Sequence, residues 1–151
     1  MTKTDKYQNL YKQLESLLSG ETDQIANMAN MAALIHETFG VWWTGFYIVK
    51  GEHLVLGPFQ GPIACTRIPY GKGVCGTAWQ RQETIVVPDV EEFPGHIACD
   101  CASNSEIVIP ICKNGAIIGV LDIDSPLFNR FTETDREGLE SLVQVLEGML
   151  M

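Results

Sequence analysis

An Asn-Gly pair between two apolar runs is the feature of this sequence that most constrains its fold. Asn114 and Gly115 separate residues 107–112 from residues 116–124, and both runs are rich in isoleucine and valine. Asn-Gly is the preferred pair for a two-residue hairpin turn, because both central residues of that turn need a positive φ. The pattern predicts two paired antiparallel strands towards the end of the chain.

Helical periodicity marks both ends of the chain. Apolar residues recur at three- and four-residue steps over residues 7–18 and again over residues 25–39. A third helix is predicted over residues 134–149, and Thr134 with Glu137 is predicted to form its capping box. The first and last segments of the protein are therefore expected to be helices.

In the middle of the chain, apolar and polar residues alternate as they do in β-strands. Strands are predicted over residues 42–50, 54–59 and 84–87, and a short helix over residues 73–82. The segment 88–105 has no clear periodicity, and a loop of this length is typically functional. Helices at both ends around antiparallel strands indicate an α+β domain, with one sheet and helices packed on a face.

Composition excludes several classes of protein. The length of 151 residues with 46% hydrophobic residues predicts a single folded domain over residues 1–151. A net charge of −9 argues against a nucleic-acid partner. No apolar run approaches the roughly 20 residues that a membrane span needs. The start MTKTDKYQNL lacks an apolar signal region, so we expect a cytoplasmic protein.

Three cysteines lie in segments that are predicted to be loops or short elements. In a cytoplasmic protein such cysteines are more often reactive or metal-binding than structural. Cys99 has the best setting for a nucleophile, because it lies in a polar segment beside His96. Cys65 follows a Gly-Pro turn and is its natural resolving partner. Cys75 could equally be a small buried residue at the start of the short helix.

A metal centre is an alternative use of these thiols. Cys99 and Cys101 could form half of a site, but zinc sites usually show paired C-x₂-C knuckles, which this sequence lacks. We therefore predict no metal. Cys112 ends an apolar strand and is predicted to be inert core.

Two acids lie at the end of the last predicted strand. Asp122 and Asp124 alternate with apolar residues, so both carboxylates project from one face. The Asn-Gly turn pairs residues 107 and 122, which puts Glu106 on the opposite face unless a bulge at Pro110 turns it over. With that bulge, three acids form a candidate site for an ammonium group or a shared proton. The alternative is a strand that simply runs out into solvent.

The first predicted strand carries aromatic residues. Trp43, Gly45 and Tyr47 share one face, and Gly45 leaves a hollow between the two rings. Such a hollow can hold a methyl group, a thioether or a cation. The alternative is that both faces are core and that Gly45 marks a bulge or a close backbone approach.

Taken together, these segments resemble the free methionine-(R)-sulfoxide reductases, enzymes built on a GAF domain. The resemblance is carried by LVLGPFQGPIACTRIPYGKGVCGTA, PDVEEFPGHIACDCASNSEIVIPI and GAIIGVLDIDS, and it spans essentially the whole chain. It implies a GAF-like α+β domain, with a central antiparallel sheet of about six strands flanked by the N- and C-terminal helices.

The resemblance also implies a reaction. Cys99 would attack the sulfur of free L-methionine (R)-sulfoxide and become a sulfenic acid as methionine leaves. Cys65 would condense with it to an intramolecular disulfide, which thioredoxin or a similar dithiol reduces, with no other cofactor. Cys75 matches a third family cysteine of auxiliary role. Cys101 departs from the family motif and could compete with Cys65 for the sulfenic acid.

The remaining site residues also come from the resemblance. It implies that Glu106, Asp122 and Asp124 bind the substrate ammonium and polarise the sulfoxide oxygen. Trp43 and Tyr47 match the aromatic wall around the sulfoxide methyl group. The resemblance further implies a homodimer that packs through its terminal helices.

Two other functions are compatible with the same fold. Many GAF domains bind nucleotides or other small ligands, and NRFTETDRE loosely echoes a nucleotide-binding motif, from which Arg130 and Arg136 depart. A redox-sensing module would use the same thiols without turnover. Catalytic consumption of a sulfoxide separates the enzyme from both alternatives.

Overall fold

The computed structural model describes residues 1–95 and 103–150. Over these ranges six strands form one antiparallel sheet, which confirms the predicted α+β class. No helix in the described part of the chain is long and apolar enough to cross a membrane. The helices are α1 (Lys3–Leu18), α2 (Gln24–Phe39), α3 (Gly73–Arg81) and α4 (Glu133–Met149), with a 3₁₀ turn at Val90–Glu92. The strands are β1 (Trp43–Lys50), β2 (His53–Gln60), β3 (Arg67–Pro69), β4 (Ile85–Val87), β5 (Ser105–Lys113) and β6 (Ala116–Ser125).

The strand order brings distant parts of the sequence together. The sheet runs β3-β2-β1-β6-β5-β4, so the β1–β2 hairpin and the β5–β6 hairpin lie side by side. Trp43 pairs with Asp124, and Asp124 pairs with Glu106 on its other side. Residues opposite one another in antiparallel strands point to the same face of the sheet. One aromatic and two acidic side chains therefore stand in a row across the three central strands.

The sheet is covered on both faces. Phe46, Ile107 and Leu121 point into a core built with α1, α2 and α4. Tyr47 and Val120 point the other way, into a second core that includes residues of α3. Helices were predicted on one face of the sheet, but the central strands are apolar on both sides and need cover on both. The acids lie on the α3 side.

A buried carboxylate ties the two terminal helices together. Tyr7 on α1 donates a 2.7 Å hydrogen bond to Oδ1 of Asp135 on α4, and Lys3 Nζ lies 2.5 Å from Oδ2. Burial alone would raise the pKa of Asp135, but the hydrogen bonds from Lys3, the Thr132 backbone and Tyr7 outweigh it and lower the pKa. Asp135 therefore stays ionised and holds α1 against α4.

Asp135 also corrects the predicted start of the last helix. The capping box consists of Thr132 and Asp135, so α4 begins one residue before the predicted start at Thr134, and the box predicted from Thr134 and Glu137 was wrong. Asp135 accepts a 2.8 Å hydrogen bond from the backbone N–H of Thr132. Both pairs have the spacing of a capping box, and the buried partners of Asp135 decide between them.

Candidate active site

The register of the β5–β6 hairpin puts all three acids on one face. Ile107 pairs with Ile123, one residue beyond the pairing predicted from the turn. The shift comes from a bulge between Ile111 and Cys112 rather than at Pro110, which stays paired. The predicted location of the bulge was therefore wrong, but the predicted convergence of the acids is confirmed. Cys112, which was predicted to be inert core, is exposed.

The three acids are buried together. Only 7% of Glu106, 6% of Asp122 and 9% of Asp124 is exposed. Burial raises the pKa of each carboxyl group well above its ordinary value. The charge of a neighbour adds to the effect: Asp122 acts on Glu106, Asp124 on Asp122, and Glu106 on Asp124. Three carboxyl groups in this setting resist full ionisation unless a positively charged group binds to them.

The hydrogen bonds of this acid cluster (Glu106, Asp122 and Asp124) are incomplete. Ser103 Oγ donates to Asp124 Oδ1 at 3.3 Å. Asp122 Oδ1 is buried and has no hydrogen-bond partner within residues 1–95 and 103–150. An unpaired buried acceptor is costly, so this atom marks the place where a positively charged or donor group would bind most favourably.

Cys75 lies against the acid cluster. Its side chain is 3% exposed, and its sulfur and one oxygen each of Glu106 and Asp122 all lie within 4.8 Å of one another. Burial, and then the charge of Asp122, raises the pKa of this thiol. A thiol held in its neutral form is a poor nucleophile. The structure therefore gives Cys75 a place in the site but not the setting of an attacking thiolate.

Helix α3 carries Cys75 to this position through a close backbone approach. A Cβ atom at Gly76 would lie 2.6 Å from the carbonyl oxygen of Pro69, so only glycine allows the helix to pack this closely on the end of β3. Gly73, the first residue of α3, has a φ of +63°. The sequence GKGVCGTA thus places its cysteine beneath the sheet at the end where the acids lie.

Aromatic rings lie beside the acids. The ring of Trp43 stacks on Tyr47, with 5.9 Å between centroids, and on Phe59, with 5.3 Å between centroids. A Cβ atom at Gly45 would lie 2.6 Å from the Trp43 ring and 2.3 Å from the Phe59 Cβ. Gly45 therefore does not leave an open hollow, because the indole of Trp43 lies over it. Phe59 was not predicted as part of the site.

Tyr47 connects the site to the segment that carries Cys65. Its hydroxyl donates a 2.9 Å hydrogen bond to the carbonyl oxygen of Cys65. Burial, and then the charge of Asp122, raises the pKa of Tyr47, so the phenol remains a donor. Cys65 is half-buried in the loop between β2 and β3. The predicted resolving cysteine is thus held by a residue of the same aromatic wall.

Three residues singled out in the sequence lie outside the described part of the chain. They are Cys99, the predicted nucleophile, its neighbour His96, and Cys101, the competing thiol. Ser103 and Asn104 follow them in the sequence. Both have partners at the end of β6: Ser103 donates to Asp124, and Asn104 donates to the carbonyl oxygen of Pro126.

Comparisons with known proteins place the chain in a family. The GAF domain family matches residues 23–150. The free methionine-R-sulfoxide reductase of Escherichia coli is 52% identical over 151 residues, covering 99% of this chain and 92% of that protein. This chain belongs to the free methionine-R-sulfoxide reductase family of GAF-domain proteins. The resemblance predicted from the sequence motifs is confirmed.

Further comparisons agree with the GAF fold. GAF domain-containing protein A of Dictyostelium discoideum is 56% identical over 148 residues, covering 97% of this chain and 94% of that protein. The X-ray structure of free methionine-R-sulfoxide reductase from Neisseria meningitidis in complex with its substrate superposes with a TM-score of 0.97. It is 50% identical and covers 99% of this chain and 90% of that chain. The predicted GAF fold is confirmed.

Proposed function

We propose that this protein reduces free L-methionine (R)-sulfoxide to L-methionine, with its own thiols as the immediate reductant. The observation that carries the proposal is the acid cluster beside the stacked rings of Trp43 and Tyr47, in a chain of the reductase family. This face combines groups that suit an ammonium with groups that suit a methyl sulfoxide.

The acid cluster would bind the ammonium group of the free amino acid. Glu106, Asp122 and Asp124 are buried with raised pKa values, and Asp122 Oδ1 lacks a donor among the described residues. An ammonium supplies both positive charge and donors, whereas a methionine within a peptide offers only an amide there. Failing to pair buried charges costs about 3–5 kcal/mol. We therefore expect peptide substrates to be rejected by more than about a hundredfold.

The sulfoxide end would lie against the aromatic rings. Trp43 and Tyr47 present apolar faces to the methyl group. The oxygen must gain a proton as it leaves sulfur, and buried carboxyl groups with raised pKa values are suited to supply one. The three carboxyl groups share protons, so this step belongs to the cluster rather than to one residue.

The chemistry would proceed through two thiols. The Cys99 thiolate attacks the sulfoxide sulfur, the oxygen takes up a proton, and the oxygen ends on Cys99 as a sulfenic acid while methionine leaves. The Cys65 thiol then attacks the Cys99 sulfur, which forms a disulfide and releases water. A dithiol such as thioredoxin reduces that disulfide. Cys101 is a poorer resolving thiol, because a Cys-x-Cys disulfide is a small strained ring.

A single-turnover measurement tests this proposal. Reduced protein without external reductant is mixed with free methionine (R)-sulfoxide, and methionine formed and thiols lost are counted. We expect one methionine per chain with loss of two thiols, and none from Cys99→Ser. Cys65→Ser should form methionine with loss of one thiol and leave a sulfenic acid that dimedone traps. Cys112→Ser, which removes an exposed free cysteine, is the matched control.

A wild-type protein that forms no methionine would contradict the proposal. Binding of the sulfoxide without turnover would leave a ligand-binding or redox-sensing GAF module as the function. Loss of two thiols in Cys65→Ser would instead assign the resolving step to another thiol, Cys75 or Cys101.

The homodimer implied by the resemblance also remains a proposal. Tyr11 and Leu17 on α1 are 38% and 44% exposed, although both belong to the apolar positions of that helix. A groove between α1 and α4 lies beside Tyr11. Packing through these helices would cover both side chains. Sedimentation equilibrium should give twice the chain mass for the wild type and a shift towards monomer for Tyr11→Lys; a wild-type monomer would contradict the dimer.

A further inference from the structure

The environment of the Cys75 thiol is unusual for a buried cysteine. A core cysteine ordinarily packs as a small apolar residue. The sulfur of Cys75 instead lies with one oxygen of Glu106 and one of Asp122, all within 4.8 Å of one another and all on buried residues. One sulfur and two carboxylate oxygens that converge in this way form a donor set for a metal ion.

An independent observation points to a missing positive charge at the same place. Asp122 is 6% exposed, and its Oδ1 has no hydrogen-bond partner in the described part of the chain. The ion pairs recorded for residues 1–95 and 103–150 are those of Lys3 with Asp135 and Arg136 with Glu140. The acid cluster thus has no basic side chain paired with it within those ranges.

We propose that Cys75, Glu106 and Asp122 bind a divalent cation of the zinc class. Thiolate and carboxylate ligands together suit Zn²⁺, Cd²⁺ and Co²⁺, whereas Mg²⁺ and Ca²⁺ take oxygen ligands. Zinc bonds of about 2.3 Å to sulfur and 2.0–2.2 Å to oxygen place tetrahedral ligand atoms roughly 3.5 Å apart. Side-chain rotation has to bring together three donors that now lie within 4.8 Å of one another.

The ion would compete with the substrate. It takes the position that the ammonium group takes in the proposed reaction, against the same two carboxylates. Inhibition by zinc therefore rests on the proposed function, whereas binding of the ion does not. This reversible site has a single thiol, and it differs from the metal centre at Cys99 and Cys101 that was predicted to be absent.

Cobalt absorption tests the site directly. Reduced Cys99→Ser protein, in which the proposed turnover is blocked, is titrated with Co²⁺ without oxygen. We expect saturation at one Co²⁺ per chain, with a thiolate-to-cobalt charge-transfer band. Adding Cys75→Ser should abolish the band and weaken binding at least tenfold, and Asp122→Asn should weaken binding by a similar factor. Adding Cys112→Ser should change neither, and Mg²⁺ should not displace Co²⁺.

Other outcomes would overturn the proposal. A charge-transfer band that persists in Cys75→Ser would show that cobalt binds to other thiols. Titration of the parent protein without saturation would show that it has no specific cobalt site. Circular dichroism checks that each variant is folded. If Cys75→Ser does not fold, Asp122→Asn still tests the site. Free methionine sulfoxide should displace Co²⁺ from the parent protein. Failure to displace it, in a protein whose wild type turns over, would overturn the competition but not the proposed function.

Discussion

Glu106 lies directly opposite Asp124 on strands β5 and β6, with both side chains on the same face of the sheet. Carboxylates in this arrangement repel, and each of the two has a pKa raised by burial and by neighbouring charge. Such a pair lowers the free energy of unfolding at neutral pH, and it becomes favourable only when protons or a positively charged ligand bind to it. The acid cluster is therefore expected to favour binding at the expense of stability.

Asp122→Asn should stabilise the protein while it inactivates the enzyme. A raised pKa means that the contribution of Asp122 to stability is complete below its ordinary pKa of 3.8 and is lost as pH rises towards the folded value. Asparagine has no such loss. The free energy of unfolding of Asp122→Asn should therefore equal that of the wild type at pH 3 and exceed it by about 1 kcal/mol at pH 8, or by about 2–4 °C in Tm. Thermal unfolding across this pH range measures it.

The matched control for that prediction is Glu83→Gln, which changes an exposed acid. It should alter Tm at neither pH. An Asp122→Asn protein that is less stable than wild type at pH 8 would show that the carboxylate is paired in the folded protein. That result would contradict the view that the acid cluster destabilises the fold.

Gly45→Ala should damage both stability and activity. The added methyl would meet the Phe59 Cβ at 2.3 Å and the Trp43 ring at 2.6 Å, so the aromatic wall must shift. Overpacking of this kind costs about 1–3 kcal/mol. Urea unfolding and the KM for the sulfoxide measure the two effects. Gly148→Ala, which meets nothing within 4 Å, should instead stabilise α4 by about 0.5–1 kcal/mol; equal effects at both positions would exclude the close approach.

Tyr47→Phe should slow formation of the disulfide more than release of methionine. The substitution removes the 2.9 Å hydrogen bond to the Cys65 carbonyl but keeps the ring against Trp43. Losing this restraint on the Cys65 loop should lower the rate of the resolving step on the order of tenfold. Rapid-quench counting of methionine and thiols separates the steps, with Tyr70→Phe as the control at an exposed tyrosine. An unchanged resolving step would show that the bond does not position Cys65.

Asp135→Ala should destabilise the protein more than Asp5→Ala does. Both acids occupy the same position of a capping box, but Asp135 is buried with Lys3 and Tyr7, whereas Asp5 is exposed. We expect losses of about 2–3 kcal/mol for Asp135 and about 1 kcal/mol for Asp5. Urea unfolding of each variant at pH 7 measures the two losses.

The stability that Asp135 contributes should decrease in acid. The pKa of Asp135 is lowered in the folded protein, so its contribution is present above the ordinary value of 3.8 and is lost as pH falls through the folded value. The gap between wild type and Asp135→Ala should narrow in acid below pH 3.8. A gap that stays constant down to pH 2 would show that packing, and not the ionised carboxylate, joins the helices.

Local signals in the sequence predicted the elements of this fold well. The Asn-Gly turn produced the expected β5–β6 hairpin, and α2 ends at Phe39 as predicted, with Gly40 in the left-handed conformation as its C-cap. Period-two alternation placed Asp122 and Asp124 on one face, as the structure has them. The short strand Arg67–Pro69 was missed, because three residues are too few for periodicity and its pairing with β2 is set by the fold.

Features that depend on pairing between strands could not be predicted in detail. At Ile111 and Cys112 the register shift leaves Ile118 of β6 without a paired residue, and this shift sets which residue faces Glu106. A second register shift, between Gly45 and Tyr47 in the pairing of β1 with β2, sets the position of Phe59 against Trp43. A one-residue shift reverses the face of every later side chain. The sequence settings of Cys99 and Cys65 led to their predicted roles, whereas the auxiliary role of Cys75 came from the family resemblance.

The preference for a free amino acid tests the central claim most directly. The measurement is kcat/KM of the wild type for free methionine (R)-sulfoxide and for its N-acetyl derivative, which lacks the ammonium group. The acid cluster predicts a preference for the free amino acid of more than about a hundredfold, and a much smaller preference in Glu106→Gln. Equal values of kcat/KM for the two substrates would contradict recognition of the ammonium group by Glu106, Asp122 and Asp124.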